Sequence, residues 1–149
     1  MTLQAPALRV RAAECTDLPA LIALDSIAAD DPRRAAQIGQ WLADGHMHVA
    51  ELDGTLAGYR VQHRHFFGEA FIEMLMVAAP LRGHGVGSAL LLHATSISAG
   101  TRLFTSTNQS NASMQRLLTA TGFVQCGVVH GLDEGDPELI YRFATDDVR

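Results

Sequence analysis

Hydrophobic and polar residues alternate along several stretches of this 149-residue chain, and elsewhere apolar residues recur at helical spacing. Alternation is typical of half-buried strands, whereas a spacing of three and four residues is typical of amphipathic helices. The stretch 71–76 is almost continuously apolar, which indicates a central strand buried on both faces. Together these patterns predict seven strands, at 7–13, 46–52, 55–65, 69–77, 102–107, 123–130 and 138–143.

Polar residues and glycines mark the ends of the predicted helices. Thr16 is suited to cap a first helix, and Asp31-Pro32 either interrupts that helix or begins a second one. Two later helices are each followed by a glycine, the residue that most often ends a helix. These two are predicted at 85–98 and 111–121.

The order of the elements defines the predicted fold class. Asp53-Gly54 separates the second and third strands, and Asp-Gly is a strong signal for a two-residue hairpin turn. The full order is β-α-α-β-β-β-α-β-α-β-β, which predicts a mixed α/β fold. The whole chain, 1–149, is expected to be one domain with a core of its own.

Composition excludes several classes of protein. Apolar residues make up 48% of the chain and the net charge is −5, which are globular rather than disordered values. The chain lacks the block of Lys or Arg residues that would indicate a nucleic-acid partner. It also has no apolar run long enough to span a membrane. The N-terminal sequence has no signal-peptide pattern, and Cys15 and Cys126 are expected to be reduced, partly buried thiols of a cytoplasmic protein.

A basic, glycine-rich turn joins the fourth strand to the next helix. Glycines let the backbone turn tightly and approach a ligand, and the first N–H groups of a helix have no partner within it. With the positive end of the helix dipole and the charge of Arg82, these groups form a site for phosphate. The turn lacks the Gly-Lys-Ser/Thr end of a P-loop and the third glycine of the dinucleotide fingerprint. Its sequence is Arg82-Gly83-His84-Gly85-Val86-Gly87-Ser88.

The pattern Arg82-x-x-Gly85-x-Gly87 resembles the acyl-CoA pyrophosphate loop of the GNAT N-acetyltransferase superfamily. The segment 73–80 before it is similar to the strand that leads into that loop. A second segment, 108–123, resembles the family's asparagine, amphipathic helix and closing Gly-Phe after the fifth strand. The stretch 132–141 is similar to the tail of a set of small, single-domain bacterial GNAT proteins. Because the order of elements is also the GNAT order, the resemblance covers nearly the whole chain.

The resemblance implies a GNAT-type acyl-CoA N-acyltransferase fold. Its central, mostly antiparallel sheet would be splayed between strands 4 and 5 and flanked by helices. Acetyl-CoA is the implied co-substrate, and no metal is expected. Residues on strand 4 would hold the pantetheine arm, the glycine-rich turn would hold the pyrophosphate, and two asparagines would add polar contacts. The implied cofactor-binding residues are Leu75, Met76, Val77, Arg82, Gly83, His84, Gly85, Val86, Gly87, Ser88, Asn108 and Asn111. Asn111 equally fits a plain helix N-cap, and the two roles are compatible.

Glu73 is the candidate general base. A carboxylate in an otherwise apolar strand is costly unless paired, and burial would raise its pKa toward the range useful for taking a proton from an amine. The alternative is a carboxylate paired with a structural Arg or His. Many family members carry a tyrosine acid on the last helix, but the matching position here is Leu118. Tyr141 is a weaker candidate acid, and a structural role on its strand is the alternative.

The loop before the last strand is acidic. Four carboxylates in or beside it are candidates for binding a cationic substrate, and the last of them is also a candidate second base. These are Asp133, Glu134, Asp136 and Glu138. The alternative is a solvated turn built on Asp, Gly and Pro, which needs no function.

Two pairs of histidines, His46/His48 and His63/His65, lie on the arms of the predicted hairpin, where alternate residues share a face. Some of their rings could meet across the hairpin. A zinc site needs three or four converging ligands, so scattered histidines or a substrate-facing His65 are the alternatives. His84 is expected to neighbour the phosphate or to face solvent.

The sequence therefore predicts an acetyl-CoA-dependent N-acetyltransferase that acts by direct attack of a primary amine in a ternary complex. The amine would be a small molecule or belong to a protein, and a homodimer is possible. The alternatives are a non-catalytic acyl-CoA-binding regulatory module and an enzyme that transfers a longer acyl chain. Family resemblance indicates the cofactor more closely than the acceptor.

Overall fold

The computed structural model of this chain describes residues 7–144 and has the predicted mixed α/β architecture. Each predicted strand is present, with ends that differ by at most one residue from the prediction. The strands are β1 Leu8–Ala12, β2 Met47–Leu52, β3 Thr55–Phe66, β4 Glu69–Val77, β5 Leu103–Asn108, β6 Phe123–Val129 and β7 Glu138–Phe143. The helices are α1 Leu18–Leu24, α2 Pro32–Ala43, α3 Val86–Ile97 and α4 Ala112–Ala120, with 3-10 turns at Cys15–Asp17 and Ala79–Leu81.

Local sequence explains where the first two helices begin. The Asp31 carboxylate accepts a hydrogen bond from the Arg33 N–H at 2.9 Å, and Pro32 occupies the first position of α2. Asp31-Pro32 therefore begins a second helix rather than interrupting the first. The prediction that Thr16 caps α1 is wrong, because Thr16 lies within the 3-10 turn that precedes that helix.

The strands form a sheet in the order β1-β2-β3-β4-β5-β7-β6. β1, β2 and β3 pair antiparallel, as do β5, β7 and β6, whereas β4 and β5 are parallel. The sheet is thus mostly antiparallel, as predicted. Leu52 lies opposite Thr55 at the end of the β2–β3 hairpin, which confirms the turn at Asp53-Gly54.

The pairing between β4 and β5 is short. It joins Ala70, Phe71 and Ile72 to the first three residues of β5, although β4 continues to Val77. At the last paired position, the Thr105 hydroxyl donates a hydrogen bond to the Ile72 carbonyl at 3.0 Å. Within residues 7–144, no pairing with β5 is found for the later part of β4, which is consistent with the splay expected for the fold.

Residue contacts divide the chain into two compact units. The first contains residues 7–61 together with Met74–His93. It has two apolar clusters: the larger combines strand residues with α1 and α2, and the smaller combines strand residues with α3. The larger cluster includes Leu21, Ile38, Trp41, Met47, Val49, Tyr59 and Val61, and the smaller one Ala50, Ala57, Val86 and Leu90.

The second unit contains Gln62–Glu73 and residues 94–144. Its buried apolar side chains come from four strands, from Ala94 of α3 and from α4, whose Leu118 is fully buried. They include Ala70, Ile72, Leu103, Leu118, Phe123, Leu139 and Tyr141.

Both cysteines have free thiols, but the expectation that they are partly buried is wrong, since both are exposed. Cys15 lies in a 3-10 turn at the surface. Cys126 lies where the pairing register of β6 with β7 shifts between Gln125 and Gly127. Within residues 7–144, no helix is long and apolar enough to cross a membrane.

Candidate functional site

The glycine-rich turn leads directly into α3. The first bond of this helix runs from the Ala89 N–H to the Gly85 carbonyl at 3.0 Å. The N–H groups of Val86, Gly87 and Ser88 precede that bond and, as at any helix start, have no acceptor within the helix. These three donors and the positive end of the helix dipole can hold an anion.

The conformation of the turn requires glycine at two positions. Gly83 and Gly85 have φ angles of 83° and 82°, in the left-handed region that other residues rarely adopt. The Nδ1 atom of His84 lies 3.1 Å from the carbonyl oxygens of both Leu81 and Arg82. Because both carbonyl oxygens are acceptors, this nitrogen carries the proton and donates it to them, which stabilises the turn. The Arg82 side chain is exposed.

The first unit fixes α3 firmly against its strands. Val86 and Leu90 are buried in the smaller apolar cluster, and Leu75, Val77 and Leu81 pack against that cluster. This contact positions the start of the helix and, with it, the turn.

Gly58 on β3 makes that contact possible. A Cβ atom at this position would lie 2.6 Å from the Met76 carbonyl oxygen, 3.0 Å from Val86 and 3.4 Å from Leu90. Sequence patterns did not single out Gly58, because nothing in its local sequence reveals that close approach.

Leu75, Met76 and Val77 form the last part of β4 and are half-buried. They lie beyond the three residues that pair with β5, so β5 does not use the N–H and C=O groups on that edge of the strand. An extended chain with amide groups can form hydrogen bonds with such an edge, as one strand does with another. The predicted pantetheine-binding residues therefore have a suitable local geometry.

The expectation that Glu73 is buried is wrong. Its side chain is exposed, because alternation along β4 places Ile72 in the core and Glu73 on the opposite face. Among residues 7–144, Glu73 forms no ion pair, so the predicted pairing with a structural Arg or His is not observed. The carboxylate is open to a ligand.

The two asparagines are engaged with neighbouring residues. The Asn108 side-chain amide donates to the Asp133 carboxylate at 2.9 Å. The Asn111 side-chain oxygen accepts from the Met114 N–H at 3.1 Å, so the alternative role as N-cap of α4 is confirmed. A second, ligand-binding role for either residue stays a prediction.

The acidic loop is tethered to the end of β5. Asp136 accepts hydrogen bonds from the N–H and the hydroxyl of Ser110, at 3.0 and 2.6 Å. The loop lines a surface pocket of about 300 Å³ whose carboxylates come from Asp133, Glu134 and Asp136. Asp133 and Asp136 are held by hydrogen bonds, and Glu134 is exposed. Glu138 is half-buried at the start of β7.

Tyr141 and Leu118 both lie in the interior of the second unit. Tyr141 is 5% exposed, and it lines a pocket of about 470 Å³ with residues of α4 such as Gln115 and Arg116. Leu118, at the position of the family tyrosine, is fully buried. Leu118 therefore supplies apolar packing and no proton.

A buried polar cluster in the first unit was missed from the sequence. Arg60 is fully buried and has no carboxylate partner among residues 7–144. It donates to the Leu90 carbonyl at 2.6 Å, and its Nη2 lies 3.1 Å from His93 Nδ1. The rings of His48 and His93 are 5.0 Å apart. Burial, Arg60 and His93 lower the pKa of His48 to about 4, and burial and Arg60 lower that of His93. Burial also lowers the pKa of Arg60 to about 10.

The histidines do not gather into a metal site. The ring of His48 lies 5.0 Å from that of His93 on α3, and His63 stacks on His65 at 5.1 Å. Among the residues that the structure describes, no three His, Cys, Asp or Glu side chains are placed to hold a metal ion.

Comparison with known proteins gives a consistent result. The sequence model of the acetyltransferase (GNAT) family matches residues 14–123. An acetyltransferase of the GNAT family from Bacillus cereus is similar in structure, with a TM-score of 0.86, 31% identity, and 96% of this chain and 99% of that chain covered. No curated protein matches the sequence significantly.

Two more distant structures share the fold. A putative GNAT acetyltransferase from Desulfovibrio desulfuricans has a TM-score of 0.74 and 22% identity, with 91% of this chain and 98% of that chain covered. The ribosomal-protein-S18-alanine N-acetyltransferase of Escherichia coli has a TM-score of 0.76 and 18% identity, with 96% and 99% covered.

Proposed function

This chain belongs to the GNAT acetyltransferase family, and on that premise we propose that it transfers an acetyl group from acetyl-CoA to a primary amine within a ternary complex. The observation that carries the proposal is the glycine-rich turn at the start of α3, with three N–H donors that have no acceptor within the helix. The acceptor would be a small-molecule amine or a protein amine.

The residues of the turn and of β4 fit acetyl-CoA by their chemistry. The N–H groups of Val86, Gly87 and Ser88, with the Arg82 guanidinium, would bind the pyrophosphate. Gly83, His84 and Gly85 would hold the backbone in the shape that presents those donors. The backbone of Leu75, Met76 and Val77 would bind the pantetheine amides, and Asn108 and Asn111 would contribute polar contacts at the start of α4. When bound, acetyl-CoA supplies the activated acetyl group.

Glu73 would act as the general base. It would accept a proton from the substrate ammonium, directly or through water, and so free the nitrogen lone pair for attack. One N–C bond would form and one C–S bond would break. The acetylated nitrogen would lose its second proton to water, and the departing thiolate would take a proton. Because Leu118 cannot supply that proton, it would come from water or, as a second candidate, from Tyr141.

The acidic residues near the end of β5 would attract a cationic acceptor. Glu134 and Glu138 would do so directly, while Asp133 and Asp136 would also hold the loop in place. The chemistry needs no metal. A cytoplasmic location, a possible homodimer, and the lack of a nucleic-acid or membrane partner stay predictions.

The test is a thermal-shift titration with acetyl-CoA and CoA. We expect a saturable rise in Tm that is lost in Arg82→Ala but retained in Arg9→Ala, which removes an exposed arginine from β1 as a matched control. Release of CoA in the presence of amines then measures turnover. Absence of any shift with the unaltered protein would contradict the proposal at its first step.

A specific observation favours a second candidate function. Leu118 replaces the usual acid with a buried apolar side chain, as expected of a non-catalytic acyl-CoA-binding module. Glu73→Gln separates the two functions, because an enzyme would lose turnover while keeping its acetyl-CoA affinity. A regulatory module would show no turnover even before the substitution. Titration with longer acyl-CoAs tests the third possibility, transfer of a longer acyl chain.

A further inference from the structure

Six aromatic rings form a continuous surface in the second unit, which we call the aromatic ledge. Phe66 is at its centre, with ring centroids 4.8 Å from Phe71, 5.1 Å from Phe104 and 5.0 Å from Phe67. The ring of His63 lies 5.7 Å from Phe71 and stacks on a further histidine at 5.1 Å. The ledge consists of His63, His65, Phe66, Phe67, Phe71 and Phe104.

The ledge lies outside the core. Phe71 and Phe104 are direct partners in the β4–β5 register, while their chain neighbours Ile72 and Leu103 are buried on the opposite face. None of the six rings is fully buried, and Phe67 is 89% exposed. Flat π-surfaces attract other rings and cations more specifically than aliphatic surfaces do.

Glu73 continues the same face of β4. Alternation places it on the side of Phe71, roughly 7 Å further along the strand. Its carboxylate is exposed and forms no ion pair within residues 7–144. The ledge therefore ends, on β4, at a negative charge that attracts an ammonium group.

A positively charged side chain lies beside the ledge on the β5 side, away from Glu73. Arg142 on β7 lies directly opposite Phe104 in the register and is half-buried. A cationic group is repelled near Arg142 and attracted near Glu73. A ligand with a ring and an ammonium group is thus oriented with the ring over Phe66, Phe71 or Phe104 and the nitrogen toward Glu73.

We infer that the aromatic ledge binds the acceptor substrate, and that this substrate is a primary amine carried on an aromatic group by a short linker. The inference rests on the proposed function, since it assigns the substrate class of the site at which Glu73 would take the proton. In this arrangement the ring packs on the phenylalanines and the ammonium group contacts Glu73. The deprotonated nitrogen then lies beside β4, the strand proposed to bind the pantetheine arm.

The experiment compares amines of matched size in the presence of acetyl-CoA. Phenethylamine is the aromatic probe, n-hexylamine has comparable apolar surface without a ring, and spermidine tests charge alone. We expect kcat/KM for phenethylamine to exceed that for each of the others by roughly tenfold. Turnover of several amines with no preference for the ring would overturn the inference and leave the proposed function intact.

Substitutions test the ledge directly. Phe71→Leu and Phe104→Leu keep apolar volume but remove a ring, and each should raise the KM for phenethylamine roughly five- to tenfold. The KM for n-hexylamine should change less than twofold, and the thermal shift with acetyl-CoA should be unchanged, which also shows that the variants fold. Phe143→Leu, the same change at a half-buried ring that lies outside the ledge and packs on Phe123, is the matched control and should leave the KM for phenethylamine unchanged.

A binding measurement separates failure of this inference from failure of the proposed function. Isothermal titration with phenethylamine and n-hexylamine, in the presence of CoA, needs no turnover. Tighter binding of phenethylamine that is lost in Phe71→Leu supports the ledge even if no acetylation occurs. Equal or absent binding overturns it. Sedimentation of the same variants tests the alternative that a second copy of the chain covers the ledge. If Phe71→Leu dissociates a dimer and leaves amine binding unaffected, the inference is also overturned.

Discussion

Gly58→Ala tests whether β3, β4 and α3 meet as closely as the structure indicates. The added Cβ would lie 2.6 Å from the Met76 carbonyl oxygen, and real Cβ atoms essentially never approach within 3.0 Å. The obstacle is backbone rather than a flexible side chain, so β4 must move by at least about 0.4 Å. Val86 and Leu90, at 3.0 and 3.4 Å, leave little space on the side of α3.

Overpacking of this kind costs ~1–3 kcal/mol of unfolding free energy, which for a chain of this size lowers Tm by ~3–10 °C. Because Val86 begins α3, the thermal shift with acetyl-CoA should also decrease. Urea unfolding of the unaltered protein and of Gly58→Ala measures the change in unfolding free energy. Titration of both proteins with acetyl-CoA measures the change in the thermal shift.

Gly39→Ala is the matched control for Gly58→Ala. Gly39 lies inside α2, and a Cβ there would meet nothing within 4 Å. The same chemical change should therefore stabilise the protein by ~0.5–1 kcal/mol through helix propensity. If Gly58→Ala proved as stable as the unaltered chain, the close packing beneath the glycine-rich turn would be refuted.

Three further predictions concern stability. The pKa of His48 is about 4 in the folded protein against an ordinary value of 6.5, so between these pH values the unfolded chain binds a proton that the folded chain does not. Unfolding free energy should thus fall as pH drops from about 6.5 to 4, by up to ~3 kcal/mol, and urea titrations of His48→Gln should show a weaker dependence. Thr105→Val removes the hydroxyl that bonds to Ile72 and should cost ~1 kcal/mol in the same assay; no loss would mean that this bond does not secure the β4–β5 pairing. Asp136→Ala frees the acidic loop from Ser110 and should increase amide hydrogen exchange across 130–137, whereas unchanged protection would show that other contacts hold the loop.

The elements of the fold could be predicted because each is encoded locally. Alternation specifies a strand wherever one face is buried, and Asp53-Gly54 specifies its hairpin. The glycine-rich turn could also be predicted, because Gly83 and Gly85 adopt positive φ angles that residues other than glycine rarely adopt. The prediction for Thr16 failed because Glu14 and Asp17 form a capping box that begins a 3-10 turn one residue before Thr16.

Side-chain environments were harder to predict, because they depend on which strands are neighbours. Glu73 was expected to be buried because its strand is apolar, but only one face of β4 is in the core at that point. Asn108 and Asp133 are 25 residues apart, and no local pattern pairs them. The aromatic ledge likewise depends on the β4–β5 register, which places Phe71 beside Phe104.

Arg60 is the clearest case of a feature that only the assembled fold explains. In the sequence it is one polar residue in a long strand, and the pattern would place it at the surface. It is instead fully buried, because β3 is an interior strand of the sheet and the Arg60 side chain reaches the Leu90 carbonyl of α3. A buried guanidinium without a carboxylate is costly, and here its two hydrogen-bond partners are a carbonyl and an imidazole that must stay neutral. Burial and the nearby Arg60 therefore lower the pKa of His93. Because the folded protein resists protonation of His93, the unfolding free energy of the first unit should decrease at acid pH.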